Sequence, residues 1–402
     1  MNATVNNARG TLHIGRPSVA RNGGRARLTS VIGCFGEERP VWFEVDERYG
    51  EYLCAERSDA FLVGLLNYAM REHLDIECEA PVGAQLLYQI RTYLVPALVR
   101  ASQVLHEPRI AAELDAAPMR NAGGVGTGIS CGVDSFHVLS KYAKSSYPGM
   151  SLTHLVLNNV GSFWLGEKGE EDHQYEWQAE HARRFCEEYG FSFILTNSNI
   201  AEAFPQRHYL THTYTSSFAI YSLQKLWNTY FYGSSGFDFT SFSVKDSERY
   251  WCGRYDLLTL DTFSTRALKI YSEGGALTRF DKMKDVIGYP PSYGYLHVCN
   301  SDSGPNCGVC PKCLRTLVLL DALGALDLYS KVLPVERYRE SRPRALRWLY
   351  RQILCNADPM LEPAYDILKS DIPLRWKARA RYWMLKNDIR KLFRRNGHRD
   401  GK

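Results

Sequence analysis

The chain reads Gly128-Ile-Ser-Cys-Gly-Val-Asp-Ser135 between an apolar run that starts at Val125 and the helical pattern Phe136-His-Val-Leu139. A turn that follows a strand and opens a helix presents unpaired backbone N–H groups and the positive end of the helix dipole to an anion. We therefore predict a phosphate-binding loop over residues 130–135. The alternative is an ordinary strand-to-helix turn in which Asp134 or Ser135 is the helix N-cap.

The side chains of this loop suit contact with phosphate. Gly132 lets the backbone come close to the phosphate oxygens, and Ser130 and Ser135 offer hydroxyl groups to them. The carboxylate of Asp134 would hold a magnesium-bound water or stabilise the loop. Cys131 is small and would be tolerated there if its φ were negative, but it could also narrow the site or react.

Composition and charge describe a large chain with one basic region. A length of 402 residues predicts two or three structural units. Residues 334–402 carry 18 Lys and Arg against 8 Asp and Glu, a net charge of +10, and the rest of the chain carries about −5. The first residues have no apolar core of the signal-peptide kind, and no charge-free apolar stretch reaches 18 residues. We expect a cytoplasmic protein without a membrane partner.

The pattern of apolar residues predicts three regions. From Val125 strands and helices alternate, with strands at 125–130, 152–158, 192–196 and 229–232 and helices at 135–144, 173–189 and 213–227. This alternation predicts an α/β fold with a parallel, doubly wound sheet over residues 119–333. Residues 1–118 contain a hairpin pattern at 25–47 and helical patterns at 59–71 and 88–104, which predicts a separate amino-terminal α+β domain of unknown role. Residues 334–402 are predicted to form a basic helical segment.

Four cysteines stand within fifteen residues, at Cys299, Cys307, Cys310 and Cys313. In a chain expected in a reducing compartment, such crowding predicts a metal site before disulfides. Zinc is the first choice because its structural sites take four thiolates in tetrahedral geometry. A [4Fe–4S] cluster stays open, since thiolate spacing alone does not separate the two.

Taken together, the loop and the cysteines resemble the ATP pyrophosphatases, whose PP-loop usually reads S-G-G-x-D-[ST], and among them the 7-cyano-7-deazaguanine synthases of queuosine-precursor synthesis. The segment from Gly233 to Asp238 is similar to the family's G-x-x-x-x-D-[FY]-S segment, and the segment around Lys282 to its L-T-K-A-E segment. The resemblance covers residues 120–330. The chain differs in having Cys131 where the family has glycine. It also lacks the family's Y-G-Q-R-H run and has an insertion after Gly161 that contains Trp164, Glu167 and Glu170.

This resemblance implies an HUP-like fold (adenine nucleotide alpha hydrolase-like) and a reaction that uses ATP, Mg²⁺ and a zinc-stabilised domain. An acceptor, a small-molecule or protein carboxylate, would be adenylated with release of pyrophosphate and then pass to a nucleophile such as ammonia. The residues implied to bind the nucleotide are Ser130, Cys131, Gly132, Val133, Asp134, Ser135, Gly233 and Arg279. The residues implied to act in catalysis are Asp134, Lys282 and Asp238, with Arg266 as a looser candidate for a counter-charge.

Two other functions stay open. One is an RNA-modifying PP-loop enzyme whose carboxyl-terminal cations bind RNA phosphates. These cations are Arg375, Lys377, Arg379, Arg381, Arg390, Lys391, Arg394 and Arg395. The same segment equally suits a solvated amphipathic helix that packs through its aromatic residues. The other function is a catalytically degenerate nucleotide- or partner-binding module. The sequence also leaves a homodimer open.

Overall fold

The computed structural model of the chain describes residues 10–163, 173–234, 239, 241–247, 251–299, 304–356, 360–378 and 382. Contacts divide the chain into two compact units. The first, which we call the sheet unit, comprises Met1–Ser130 and His137–Ala276. The second, the cysteine unit, comprises Cys131–Phe136 and Leu277–Lys402. These boundaries differ from the predicted domain boundaries at residues 118 and 333.

The strands of the described residues lie in the sheet unit. They are β1 (Thr11–Ile14), β2 (Ser18–Asn22), β3 (Arg25–Cys34), β4 (Glu37–Asp46), β5 (Asp75–Cys78), β6 (Val82–Gly83), β7 (Ile110–Ala111), β8 (Leu114–Asp115), β9 (Gly124–Gly128), β10 (His154–Asn159), β11 (Ser192–Ser198), β12 (Trp227–Gly233) and β13 (Lys269–Glu273). Eleven of them form one sheet in the order β13-β12-β9-β10-β11-β4-β3-β1-β5-β7, with β2 paired to β3, while β6 and β8 pair separately.

Five neighbouring strands of this sheet, β13-β12-β9-β10-β11, are parallel. The chain runs outward from β9 in both directions, which is the strand order typical of doubly wound α/β sheets. In such sheets ligands bind outside the carboxyl end of the strand at which the order reverses. Here that strand is β9, and the predicted phosphate loop follows it directly.

The amino-terminal strands continue the same sheet. β3 and β4 form the predicted hairpin through a two-residue turn, Phe35-Gly36, in which both residues have positive φ. β4 then pairs antiparallel with β11, where the Ser198 hydroxyl donates to the Trp42 carbonyl oxygen at 2.6 Å. One hydrophobic core extends from Leu12 to Ile270. Because β4 and β11 share this edge, residues 10–118 and the parallel strands form one unit.

The helices of the described residues are α1 (Asp59–Arg71), α2 (Ala84–Gln89), α3 (Val95–Ala101), α4 (Val133–Tyr142), α5 (His173–Tyr189), α6 (Ile200–Ala203), α7 (His208–Ser222), α8 (Asp256–Thr262), α9 (Arg279–Ile287), α10 (Pro311–Ala322), α11 (Val335–Asn356) and α12 (Glu362–Leu368). Helix α1 packs closely on α7 because Gly64 has no side chain. A Cβ there would lie 2.9 Å from Phe218 Cβ. The described helices include none with the length and apolarity needed to cross a membrane.

The described residues therefore form a mixed, mostly parallel sheet flanked by helices. This confirms the predicted α/β class. The predicted helix at 213–227 begins earlier, at His208, and ends at Ser222, so that β12 starts at Trp227.

Candidate anion-binding site and metal centre

The predicted phosphate loop opens helix α4. The helix begins at Val133, so Asp134 and Ser135 lie in its first turn and do not cap it. The Ser135 hydroxyl donates to the Gly132 carbonyl oxygen at 3.1 Å, and the Phe136 N–H donates to the same oxygen at 3.0 Å. The structure therefore differs from the alternative in which Asp134 or Ser135 is the helix N-cap.

Cys131 adopts a left-handed backbone conformation. Its φ is 53°, a region that favours glycine, and its side chain is fully buried. The condition under which the sequence would tolerate a cysteine here, a negative φ, is therefore not met. The Cys131 carbonyl oxygen accepts a hydrogen bond from the backbone N–H of His297 at 2.8 Å, which fixes the peptide that follows it.

Asp134 is paired with two cations from helix α9. Arg279 Nη2 lies 2.8 Å from Asp134 Oδ2, and Lys282 Nζ lies 3.2 Å from Asp134 Oδ1. The Lys282 side chain is completely buried, whereas the Asp134 side chain is 27% exposed. A buried ammonium needs a counter-charge because its desolvation is costly. The structure thus brings together three residues that the sequence predicted for one site.

Two further cations, Lys312 and Arg315, belong to the same surroundings, and the sequence prediction missed both. The Lys312 residue as a whole is exposed, but protein atoms pack around its ammonium group and the loss of water there lowers the pKa of Lys312. The charge of Arg279 lowers this pKa further, Asp134 opposes the shift, and Arg315 adds to it. We call Arg279, Lys282, Lys312 and Arg315 the cation cluster. A signal was present in the sequence, since Lys312 and Arg315 stand on either side of Cys313 in the first two turns of α10.

Three residues of the cation cluster lie at helix N-termini, where positive side chains are usually unfavourable. Arg279 and Lys282 lie in the first turn of α9, and Lys312 lies in the first turn of α10. Positive side chains at a helix N-terminus oppose the helix dipole. Helix stability does not favour cations at these positions, so we take their placement to favour the binding of an anion.

The four predicted cysteines converge in the cysteine unit. Their Sγ atoms all lie within 4.8 Å of one another, and Cys299 Sγ is 3.9 Å from Cys310 Sγ. A tetrahedral zinc with bonds of about 2.3 Å separates its sulfur ligands by about 3.8 Å. In a [4Fe–4S] cluster the four cysteines bind four different irons and spread more widely. The arrangement therefore fits a single ion such as zinc.

Backbone N–H groups support the thiolates of this centre. The N–H of Cys310 points to Cys307 Sγ at 3.3 Å, and the N–H of Cys313 points to Cys310 Sγ at 3.4 Å. Such contacts from outside the ligand shell orient the ligands and stabilise their charge. Gly308 makes the turn between the cysteines with a φ of 74°, and a Cβ there would collide with Pro334.

The centre is joined to the phosphate loop through hydrogen bonds. Asn306 Oδ1 accepts from the Val298 N–H at 2.9 Å, and Asn306 Nδ2 donates to the Leu296 carbonyl oxygen at 2.8 Å. These two bonds hold both sides of His297, whose N–H binds the Cys131 carbonyl oxygen. The segment that ends at Cys299 therefore also fixes the start of the loop.

The other predicted site residues belong to the sheet unit or lie outside the described residues. Ser130 and Gly233 are in the sheet unit, where the Ser130 carbonyl oxygen accepts from Gln178 Nε2 at 2.7 Å. Arg266 is exposed in that unit. Asp238 lies outside the described residues, and so do Trp164, Glu167 and Glu170 of the insertion.

Of the predicted carboxyl-terminal cations, Arg375 and Lys377 are described, and the remaining ones, from Arg379 onward, are not. Between them Trp376 packs under Arg347, whose Cζ lies 4.7 Å from the ring centroid. At least this aromatic residue of the segment packs on the rest of the cysteine unit.

Comparisons of the chain with protein-family models, with curated proteins and with solved structures found no match. The case for a function therefore rests on the residues of the site.

Proposed function

We propose that this chain is an ATP-dependent, AMP- and pyrophosphate-forming enzyme of the PP-loop type, with an HUP-like α/β domain. It adenylates an acceptor, for which a carboxylate is the simplest choice, so that a nucleophile can form an amide, a nitrile or a similar bond. The observation that carries the proposal is the pairing of Asp134, in the loop, with Arg279 and the fully buried Lys282.

The cation cluster would bind the β- and γ-phosphates of ATP. Transfer of the adenylyl group places negative charge on the departing pyrophosphate, and fixed cations that neutralise this charge lower the barrier. Asp134 would hold Arg279 and Lys282 in place before the nucleotide arrives. The positive ends of helices α4, α9 and α10 add to the attraction for phosphate.

The residues around Asp134 fit a phosphate group better than a resident magnesium ion. Both carboxylate oxygens already accept contacts from cations, Oδ2 from Arg279 and Oδ1 from Lys282. Magnesium prefers carboxylates whose oxygens are available, together with waters and substrate phosphates. In this proposal Mg²⁺ therefore arrives with ATP.

The metal centre would have a structural role. Four cysteine ligands complete the tetrahedral shell of zinc and leave no open position for water or substrate, which catalytic zinc sites keep. A zinc ion bound there would hold the start of α10 and, through it, Lys312 and Arg315.

The test uses two lysines of the same helix. Lys282→Met removes the buried ammonium that contacts Asp134, whereas Lys284→Met removes an exposed one that pairs with Asp281. We expect Lys282→Met to lower kcat/KM for ATP by at least about 100-fold in a pyrophosphate-release assay with a panel of carboxylates. Lys284→Met should stay within about twofold of the unchanged protein. Equal losses in both variants would contradict the proposal.

Asp134→Asn separates an enzyme from a binding module. The variant keeps the shape of the side chain but loses the charge that holds Arg279 and Lys282 in place. We expect it to bind inorganic pyrophosphate, whose own charge pairs with these cations, and to lose turnover because the cations are no longer positioned before ATP arrives. An unchanged protein that binds ATP and releases no pyrophosphate with any acceptor would leave only a nucleotide-binding module. Release that depends on RNA and falls steeply with salt would instead support the RNA-modifying alternative.

A further inference from the structure

The sheet unit contains a cavity of about 420 Å³ at the carboxyl ends of two parallel strands. Val160 and Gly161, which directly follow β10, line one side of it, and Ile200, which follows β11, lines another. The first turn of α7 closes the rim. Ligands of parallel α/β sheets bind at this edge, and the volume is in the range of small-molecule sites.

The floor of the cavity is apolar. Leu65, Ile200 and Phe204 line it and are all buried, with at most 3% of each residue exposed. Such a surface gains free energy by covering an aromatic or aliphatic group.

One lining residue has a buried polar atom without a partner among the described residues. Gln206 lines the cavity, and its side-chain oxygen Oε1 is buried and has no hydrogen-bond partner among the described residues. A buried acceptor of this kind is costly unless a donor reaches it. A ligand with an N–H group would supply that donor.

The rim attracts negative charge. Arg207 lines the cavity at the N-cap position of α7, and no side chain caps this fifteen-residue helix. The described lining residues include Arg207, whose Nη1 also donates to the Tyr209 hydroxyl at 3.1 Å, and no Asp or Glu. A guanidinium beside uncapped helical N–H groups favours a carboxylate.

We propose that this cavity binds an N-acyl amino acid or a similar small carboxylate, with its apolar side chain on Leu65, its N–H group at Gln206 and its carboxylate at Arg207. The assignment of the cavity depends on the proposed function only where it identifies the bound carboxylate as the acceptor of the adenylyl group. β10 is the neighbour of β9, the strand that runs into the phosphate loop.

The experiment is calorimetric titration of the whole chain, without ATP, with three probes. N-acetyl-L-phenylalanine carries all three features, N-acetyl-L-phenylalaninamide lacks the charge, and 3-phenylpropanoate lacks the N–H group. We expect the first probe to bind at least about tenfold more tightly than its amide. Arg207→Gln should abolish that difference, and Gln206→Leu should abolish the preference over 3-phenylpropanoate. Arg207 is exposed and Gln206 is only partly buried, so the fold should tolerate these changes.

The matched control is Arg184→Gln, which changes an exposed arginine of α5 and should bind all probes as the unchanged protein does. Absence of binding by every probe, or equal binding of all three to protein and variants, would overturn the proposal. Probes that bind although ATP is never cleaved would refute the adenylation reaction and leave the cavity assignment intact. ATP cleavage with a carboxylate that Arg207→Gln does not affect would refute the cavity and leave the reaction.

Discussion

At Cys131 the backbone has a conformation that glycine adopts more easily than any other residue. A side chain at positive φ is strained by about 1–2 kcal/mol. The thiol is nevertheless fully buried, so sulfur packing partly offsets this strain. The two effects can be separated by removing the side chain in two steps.

We predict that Cys131→Gly is more stable than Cys131→Ala by about 1 kcal/mol. This reverses the usual order, in which glycine is less stable than alanine by about 0.5–1 kcal/mol. Alanine keeps the strain and loses the sulfur, whereas glycine loses both. Urea unfolding of the two metal-loaded variants measures the difference, and a more stable alanine variant would show that the positive φ carries no strain.

Single residues differ in how far the sequence could place them. Asp134 and Lys282 were predicted together because both stand in segments that resemble short motifs of one family, and the structure does bring them into contact. Lys312 was missed because it stands inside the cysteine motif. The spacing of that motif indicates metal ligands but does not show where the side chains between the cysteines point. The sign of φ at Cys131 depends on tertiary contacts such as the His297 N–H, which no local pattern reveals.

The cysteine centre connects three elements of its unit. Its cysteines flank the turn at Gly308, and Cys310 is the N-cap of α10. Cys299 lies at the end of the segment in which the His297 N–H donates to the Cys131 carbonyl oxygen. Burial raises the pKa of the Cys313 thiol well above its usual value. Forming four thiolates this close together therefore needs a divalent ion that displaces their protons and compensates their charge.

We predict that Cys310→Ser loses the metal and weakens the binding of inorganic pyrophosphate by about tenfold, a typical strength of coupling between sites. The reason is that the start of α10 and the His297 segment lose their anchor, and both reach the predicted anion site. Metal analysis and pyrophosphate titration of the same sample check this. Cys355→Ser is the control, because Cys355 is exposed and lies outside the cluster. If the Cys310→Ser variant had no metal and still bound pyrophosphate normally, the metal centre would contribute to folding and not to anion binding.

Helices and strands were predicted best where apolar residues recur at regular spacing along the chain. Helix α1 over Asp59–Arg71 and helix α5 over His173–Tyr189 have the predicted bounds. The alternation Val41, Phe43, Val45 predicted the strand, and the turn before it predicted its hairpin partner β3, but nothing predicted its second neighbour, β11. Pairing of β4 with β11 depends on residues more than 150 positions apart, and a period of two fits any partner.

On the scale of the whole molecule, the shared sheet means that residues 10–118 and the parallel strands should unfold together. Phe43 of β4 and Phe61 of α1 both contact Phe218 of α7 edge to face, with ring centroids 5.8 and 5.4 Å apart. A core that spans both regions has no internal boundary at which one region could open alone.

We predict that Phe43→Ala and Phe218→Ala each lower the free energy of unfolding by about 3–5 kcal/mol, since each leaves a cavity in the same core. In hydrogen exchange, each variant should accelerate β3 and β4 together with β9 to β12. The exposed Phe35 at the hairpin turn is the control, and Phe35→Ala should change stability by no more than about 0.5 kcal/mol. If Phe43→Ala accelerated exchange only before residue 118, the amino-terminal region would be a separate domain, as its local sequence pattern indicates.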